Sequence, residues 1–315
     1  MNKRVIVYVL GAVLLIEAAL MLLPLLVAVI YREKSGWYFL WVLLGAAVLG
    51  ALALGLGGRK RSAMYAKEGL IAVALRWIVL SLVGALPFTL SGQIPFYLDA
   101  VFEMISGFTT TGSSILPNVE ALSRCMLLWR SFSHWLGGMG VLILTIALLP
   151  SLGARTLHLM KAESPGPIVS KLVPKSSESS KILYGIYFAL TVLEVIALKL
   201  PGMPLSDSVV NSFATAGTGG FAILNLSIGG YHSPAVEIII GVFMLLFSVN
   251  FALYFLILQG KWKQALDSDE LRFFGAVVSL SVVLITFNIA GQYGSPLTAL
   301  RHAFFQVASI ISTTG

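Results

Sequence analysis

Charge is what this sequence has least of. Asp, Glu, Lys and Arg make up 11% of its 315 residues, against about a quarter in a soluble domain. So little polar surface excludes a protein that faces water on all sides. Hydrophobic residues reach 57% and mean hydropathy is +0.91, which is the composition of an integral membrane protein. Cysteine is nearly absent too. Cys125, the single one, excludes an intramolecular disulfide and reads as a small apolar filler. The net charge of +7 lies in short loops beside apolar runs and forms no basic stripe interleaved with aromatics. That excludes a nucleic-acid surface. A nucleophile–base pair on different helices is also missing. Ser131 and His134 stand three residues apart on one helix, with no oxyanion hole and no orienting third group. The chain reads as no enzyme.

A bilayer crossing takes about 20 apolar residues. Seven segments qualify: Val5–Ile30, Trp37–Gly57, Leu70–Leu90, Leu127–Leu149, Ile182–Leu200, Val236–Leu258 and Phe273–Ala290. The first is longer than a signal-peptide core and lacks a small-residue cleavage site, so it reads as a retained helix. Basic residues cluster after the second span (Arg59, Lys60, Arg61, Lys67), the fourth (Arg155, Lys161, Lys171, Lys175, Lys181) and the sixth (Lys261, Lys263, Arg272). If every span crosses once, all three loops share a side with Lys3 and Arg4. Excess Lys and Arg marks the cytoplasmic side, so the amino terminus is expected inside.

Between the spans lies a repeat. Asp99–Gly112, Asp207–Gly220 and His302–Gly315 align without a gap. They put Thr110, Thr218 and Thr313 in one column and the closing glycines in another. Each stretch is shorter and more polar than a span and would enter and leave the membrane on one side. A single Thr-x-Gly carries no weight, since both residues are common in turns. Three in the same topological slot describe a pore loop. Irregular backbone at membrane depth is tolerated only where it lines something. Glycine reaches φ > 0 without steric cost, so carbonyls on both sides of it can turn to one axis. A ring of such carbonyls replaces a cation's hydration shell, and the preceding short helix aims its negative end the same way. Asp99 and Asp207 are expected to cap these helices. With no carboxylate in the turns, a monovalent cation is favoured over a divalent one.

The expected fold is an all-α integral membrane protein. Two leading transmembrane helices (residues 1–68) precede repeated span–pore-loop–span units. These cover 69–150 and 182–262, with an incomplete third at 263–315, and a cytoplasmic linker runs over 151–181. The candidate ion ligands are Thr110, Thr111, Gly112, Thr218, Gly219, Gly220, Thr313, Thr314 and Gly315. At the second loop only the gap-free spacing prefers Gly220 to Gly219.

The strings FEMISGFTTTGSS, LLWRSFSHWLGGMGVLIL, AESPGPIVSKLVPKSSESSKILYGIY and FATAGTGGFAILNLSIGGYHSP resemble the Trk/Ktr/HKT potassium transporters, and the bacterial TrkH subfamily within them. The resemblance runs from about Leu70 to Gly315. It implies potassium (K+) uptake across a bacterial inner membrane, with no covalent cofactor. It also implies a homodimer with one pore per protomer, embedded in lipid, and a cytosolic TrkA-type nucleotide-binding ring as partner. The family's filter glycines carry over onto Gly112, Gly220 and Gly315. The family has four units, and this chain ends inside the third. The alternative mechanism is a rocking secondary carrier for a monovalent cation, proton- or sodium-coupled; its inverted repeats contrast with the parallel repeats here.

Several polar residues lie outside the turns. Arg130 reads either as a pore-facing cation barrier or as a snorkelling side chain. His134 reads as a packing or water-contacting histidine, and residues 137–140 (GGMG) as a close-packing patch that lets backbone approach the first pore loop. Asn250 and Asn288 read as interhelical hydrogen-bonding residues. Glu17 and Glu194 are costly in lipid, which makes them candidate proton-coupling groups, though Glu17, in an outlying helix, reads better as internally partnered or interfacial. Glu103, Asn211 and Gln306 share one repeat column, behind the turns, as ties from each loop to its neighbour.

Cysteines placed at Ser62 and Ser176 are expected to be labelled only from the cytoplasmic side, and one at Ser227 only from outside. Labelling of Ser176 from outside would overturn the orientation. The 315 residues alone are expected to insert yet fail to rescue a potassium-uptake-deficient bacterium at low potassium. A ring of four loops is not supplied by three, and backbone left unpaired at membrane depth costs several kcal/mol per group. A version extended by the third inner helix and a fourth unit should rescue growth; rescue by the shorter chain would contradict the expectation.

Overall fold

A computed structural model describes residues 3–57, 66–140 and 176–315. Arg59, Lys60 and Arg61, the end of the fourth span (141–149), and Arg155, Lys161, Lys171 and Lys175 of the linker lie outside the described residues. All regular structure among the described residues is helical. These residues fall into two compact units, one ending at Lys181 and the other running from Ile182 to Gly315.

In the first unit α1 (Lys3–Leu20) and α2 (Leu22–Ile30) together form one apolar crossing, and α3 (Gly36–Gly57) returns beside α1. Glycines let this pair approach closely. A Cβ on Gly50 would lie 2.9 Å from the Gly11 carbonyl, and one on Gly11 2.9 Å from the Gly50 carbonyl. Then come α4 (Ala66–Leu90), the short α5 (Tyr97–Phe108) and α6 (Arg124–Gly138). Twelve residues rise about 18 Å, far short of a hydrocarbon core of about 30 Å. Helix α5 is therefore too short to cross the apolar layer.

Trp129 of α6 joins the elements of this unit. Fully buried, it donates from Nε1 to the Gly84 carbonyl of α4 at 3.0 Å, and its ring meets Phe39 of α3 and Phe108 of α5 edge-on. The leading pair also reaches α6 through the α2–α3 turn. There the Glu33 carboxylate accepts the backbone N–H of Arg124 and of Cys125, at 2.8 and 3.0 Å. A carboxylate on the first N–H groups of a helix satisfies orphan donors and opposes the positive end of its dipole. Cys125 is buried, in line with its filler reading.

The second unit repeats the plan. Helix α7 (Ser176–Lys199) begins in the first unit and continues into the second, followed by the short α8 (Leu205–Ala216) and α9 (Pro234–Ser248). Then come α10 (Phe251–Leu258), α11 (Trp262–Leu266), α12 (Asp269–Ile289) and α13 (Pro296–Ile311). Leu198, Met203, Ile228, Val236, Ile240, Met244 and Ala308 form its buried core.

The sixth expected span is not one straight helix. Between α9 and α10 the axis bends by 89°. Ser248 Oγ donates to the Met244 carbonyl at 2.8 Å, a back-bond that bends helices. Val249 turns extended (ψ 142°), and Asn250 then caps α10 by accepting from the Ala252 N–H at 3.0 Å. Tyr254 Oη donates to the Leu246 carbonyl, which the break would otherwise leave poorly satisfied. Asn250 also donates to Glu270 at 3.1 Å. Asn250 thus starts α10 inside an apolar run and also makes the interhelical hydrogen bond expected of it, to α12. Among the described residues five other helices or helix pairs are long and apolar enough to cross, including Ile71–Leu90, Lys181–Lys199 and Asp269–Gln292.

Candidate functional site

Each short helix ends in the same backbone motif. In the first loop Thr110 adopts φ 55° and Gly112 φ 79°; in the second Thr218 adopts 52° and Gly220 74°; in the third Thr313 adopts 61° and Gly315 86°. The residue between them has negative φ in every copy. The hydrogen bonds repeat as well. The N–H groups of Thr111, Gly219 and Thr314 reach back five residues to the carbonyls of Ser106, Ala214 and Ser309, at 2.9, 3.0 and 3.0 Å. Those of Thr110, Thr218 and Thr313 reach back three, to Gly107, Thr215 and Ile310, at 3.1, 2.9 and 3.1 Å. This pair of bonds is the Schellman closure of a helix, with a left-handed residue just past its end.

The left-handed residue is usually glycine. Here it is threonine three times, and left-handed backbone costs a residue with a Cβ about 1–2 kcal/mol. A β-branched residue at φ > 0 is an outlier held in place by its surroundings. Hydroxyls straddle it in two copies: Thr109 and Thr111 share a hydrogen bond of 2.7 Å, and so do Ser312 and Thr314. In the second loop Gly217 and Gly219 occupy these positions. Of the two candidate glycines there, Gly220 carries the positive φ and Gly219 does not.

The surroundings of the first loop are charged and buried. Glu103 of α5 is fully buried and pairs with the Arg130 guanidinium of α6 at 2.5 Å. It also accepts Ser114 Oγ at 2.9 Å and the Ile115 N–H at 3.1 Å. Arg130, 2% exposed, thus neither lines an open pore nor snorkels; it neutralises the carboxylate that ties the first loop's outgoing strand. His134 Nδ1 lies 2.8 Å from the Gly107 carbonyl at the end of α5. One turn further, a Cβ on Gly137 would lie 2.3 Å from the Phe108 carbonyl and 2.8 Å from the Thr110 methyl. The close approach expected for residues 137–140 occurs at Gly137.

The second loop is tied through a tyrosine hydroxyl and an aspartate. Asn211 Nδ2 donates to Tyr231 Oη, which donates to Asp207, both at 3.1 Å. Asp99 and Asp207 are not caps: α5 and α8 start at Tyr97 and Leu205, so both carboxylates sit in the first turn, where they favour the dipole. Of the column Glu103, Asn211 and Gln306, the first two bind segments that follow the closing glycine of their own turn. Gln306 is exposed. None of the three ties its loop to a neighbouring one through a described contact. Glu17 and Glu194 are 1% and 0% exposed. Glu17 Oε1 comes against Gly84, beside Met104 and Phe108 of α5.

Within the second unit two loops meet backbone to backbone. A Cβ on Gly220 would fall 1.9 Å from the Thr314 carbonyl oxygen, so only glycine fits. A small cavity of mixed character lies here, lined by polar residues such as Asn211, Thr215 and Ser227, by apolar ones such as Ile240 and Met244, and by Gly220, Thr314 and Gly315.

Short helices that end in identical strained turns, set between apolar crossings, define a membrane protein with re-entrant loops. A family model described as "TrkH: Cation transport protein" matches residues 46–315. The chain belongs to that family. It is 37% identical over 320 residues to the Trk system potassium uptake protein TrkH of Salmonella typhimurium, covering 100% of this chain and 66% of that protein. It is 32% identical to Trk system potassium uptake protein TrkG of Escherichia coli, with the same coverage. The crystal structure of the potassium transporter TrkH from Vibrio parahaemolyticus matches with a TM-score of 0.84 at 31% identity. That match covers 98% of this chain and 64% of that one. The chain thus spans about two thirds of the length of these relatives.

Gly220→Ala is expected to be far more damaging than Gly219→Ala. It adds about 1–2 kcal/mol of left-handed strain on top of the collision with the Thr314 carbonyl. Melting temperature of the purified full-length proteins checks the order, and equal losses would contradict it.

Proposed function

We propose that this chain belongs to a potassium-uptake subunit of the bacterial inner membrane, working as a channel-like pore. Backbone carbonyls of the Thr-x-Gly turns take the place of water around the ion. The repeat of one backbone, φ signs and hydrogen bonds together, at residues 110–112, 218–220 and 313–315, supports this reading most directly. A helix end closed this way still leaves carbonyl oxygens beyond the Schellman pair, and a dehydrated monovalent cation is a suitable partner for them. The nine turn residues Thr110, Thr111, Gly112, Thr218, Gly219, Gly220, Thr313, Thr314 and Gly315 form the proposed ligand set. The Trk names of the relatives favour potassium. A homodimer, a TrkA-type cytosolic ring and an amino terminus inside complete the proposal, on the family resemblance and the basic loops.

The rocking carrier draws on one observation, the 89° break between α9 and α10, since discontinuous helices mark such carriers. Flux separates the two, because a carrier saturates at low turnover.

Gly112→Ser in the full-length protein is expected to weaken discrimination of potassium over sodium. A Cβ penalises φ > 0 and turns the neighbouring carbonyls away. Reversal potentials, or rubidium and sodium uptake, measure it. Unchanged selectivity at equal expression would count against the carbonyl ring.

A further inference from the structure

The third loop hangs on α13, and α13 lies along α9. Their interface has three levels. At the start of α9, Glu237 meets Arg301 of α13 at 2.9 Å, both largely buried, with side chains 14% and 24% exposed. One turn on, Gly241 makes room for Phe304, whose ring would stand 2.6 Å from a Cβ there. Beyond that Met244 and Ala308 share the buried core. Five residues later the chain reaches Thr313 and the backbone contact between Thr314 and Gly220.

The two lower levels are apolar and small, and an apolar seam specifies register weakly. A slip by one turn would move α13 about 5.4 Å along α9 and carry the third turn away from Gly220. Charge pairs in apolar seams are best attested as devices that fix register. A second charge pair, Glu103–Arg130, with the signs exchanged, ties the first short helix to α6.

We infer that the Glu237–Arg301 pair is a positioning pair. It sets the depth of the third Thr-x-Gly turn against the second and thereby the ion selectivity of the path they share. The effect on selectivity rests on the pore reading above.

The test uses four full-length proteins: wild type, Arg301→Gln, Glu237→Gln, and the exchange Glu237→Arg with Arg301→Glu. Rubidium and sodium uptake is measured together with melting temperature in detergent. Each neutralised variant should lose about fivefold or more in its potassium-over-sodium preference, because a partly buried charge is left unpaired. The exchanged protein should recover most of that loss. Wild-type selectivity in both neutralised variants would overturn the inference, as would an exchange no better than the single changes. If a neutralised variant accumulates poorly, the exchange decides alone: selective uptake near wild type supports the pair, and failure overturns it. If wild type takes up no potassium, the pore reading falls. The pair is then judged by the melting temperatures, where absence of coupling in the exchange overturns it.

Discussion

A helix that stops inside a membrane leaves its last carbonyls without water and without a next turn. That constraint shapes the rest of this molecule. Helices α5, α8 and α13 all end between apolar segments, and each closes two of its carbonyls through N–H groups just past its end. The closure requires a left-handed residue, which is threonine in all three copies. Glycine would relieve the strain at that position. Threonine retains it and narrows the conformations open to the turn, whereas the glycine two residues on allows a second positive φ. The result is a turn confined at one residue and free of a side chain at the next exposed peptide.

Holding three strained turns requires support from behind, and the copies find it differently. The first uses a buried ion pair, a histidine on the helix-terminal carbonyl, and Gly137 pressed against Phe108 and Thr110. Removing one partner of such a pair costs about 3–5 kcal/mol, since it strands the other charge. The second uses the hydrogen-bonded chain Asn211–Tyr231–Asp207. One backbone repeated on unlike supports implies that the turn geometry, not any particular side-chain contact, is what the three copies have in common.

The class of the protein, the leading pair of helices and the turns were legible in the sequence, because each rests on composition, length or a gap-free repeat. Gly220 could be preferred over Gly219 by spacing alone, and the sign of φ agrees. Pairwise chemistry was not legible. Arg130 looked exposed because nothing in its own helix could neutralise it; its partner lies 27 residues away on α5. Glu33 went unnoticed because its capping role depends on a loop folding back over 91 residues to the start of α6. The break after Ser248 had a local signal, Ser-Val-Asn within an apolar run, but hydropathy averaged it away. Side chains that act within one element announce themselves in sequence; those that act across elements do not.

The column Glu103, Asn211 and Gln306 shows how far a repeat can be pushed. Its members occupy equivalent helical positions, so one role for all three seemed economical. In the first two copies the residue binds forward in the chain: to Ser114, Ile115 and Arg130 from Glu103, and to Tyr231 from Asn211. The tie is therefore made within a copy, between the short helix and the strand leaving its turn. In these two copies that arrangement ties the incoming helix to the segment that leaves the turn. Neighbouring loops are then free to meet through backbone alone, as Gly220 and Thr314 do.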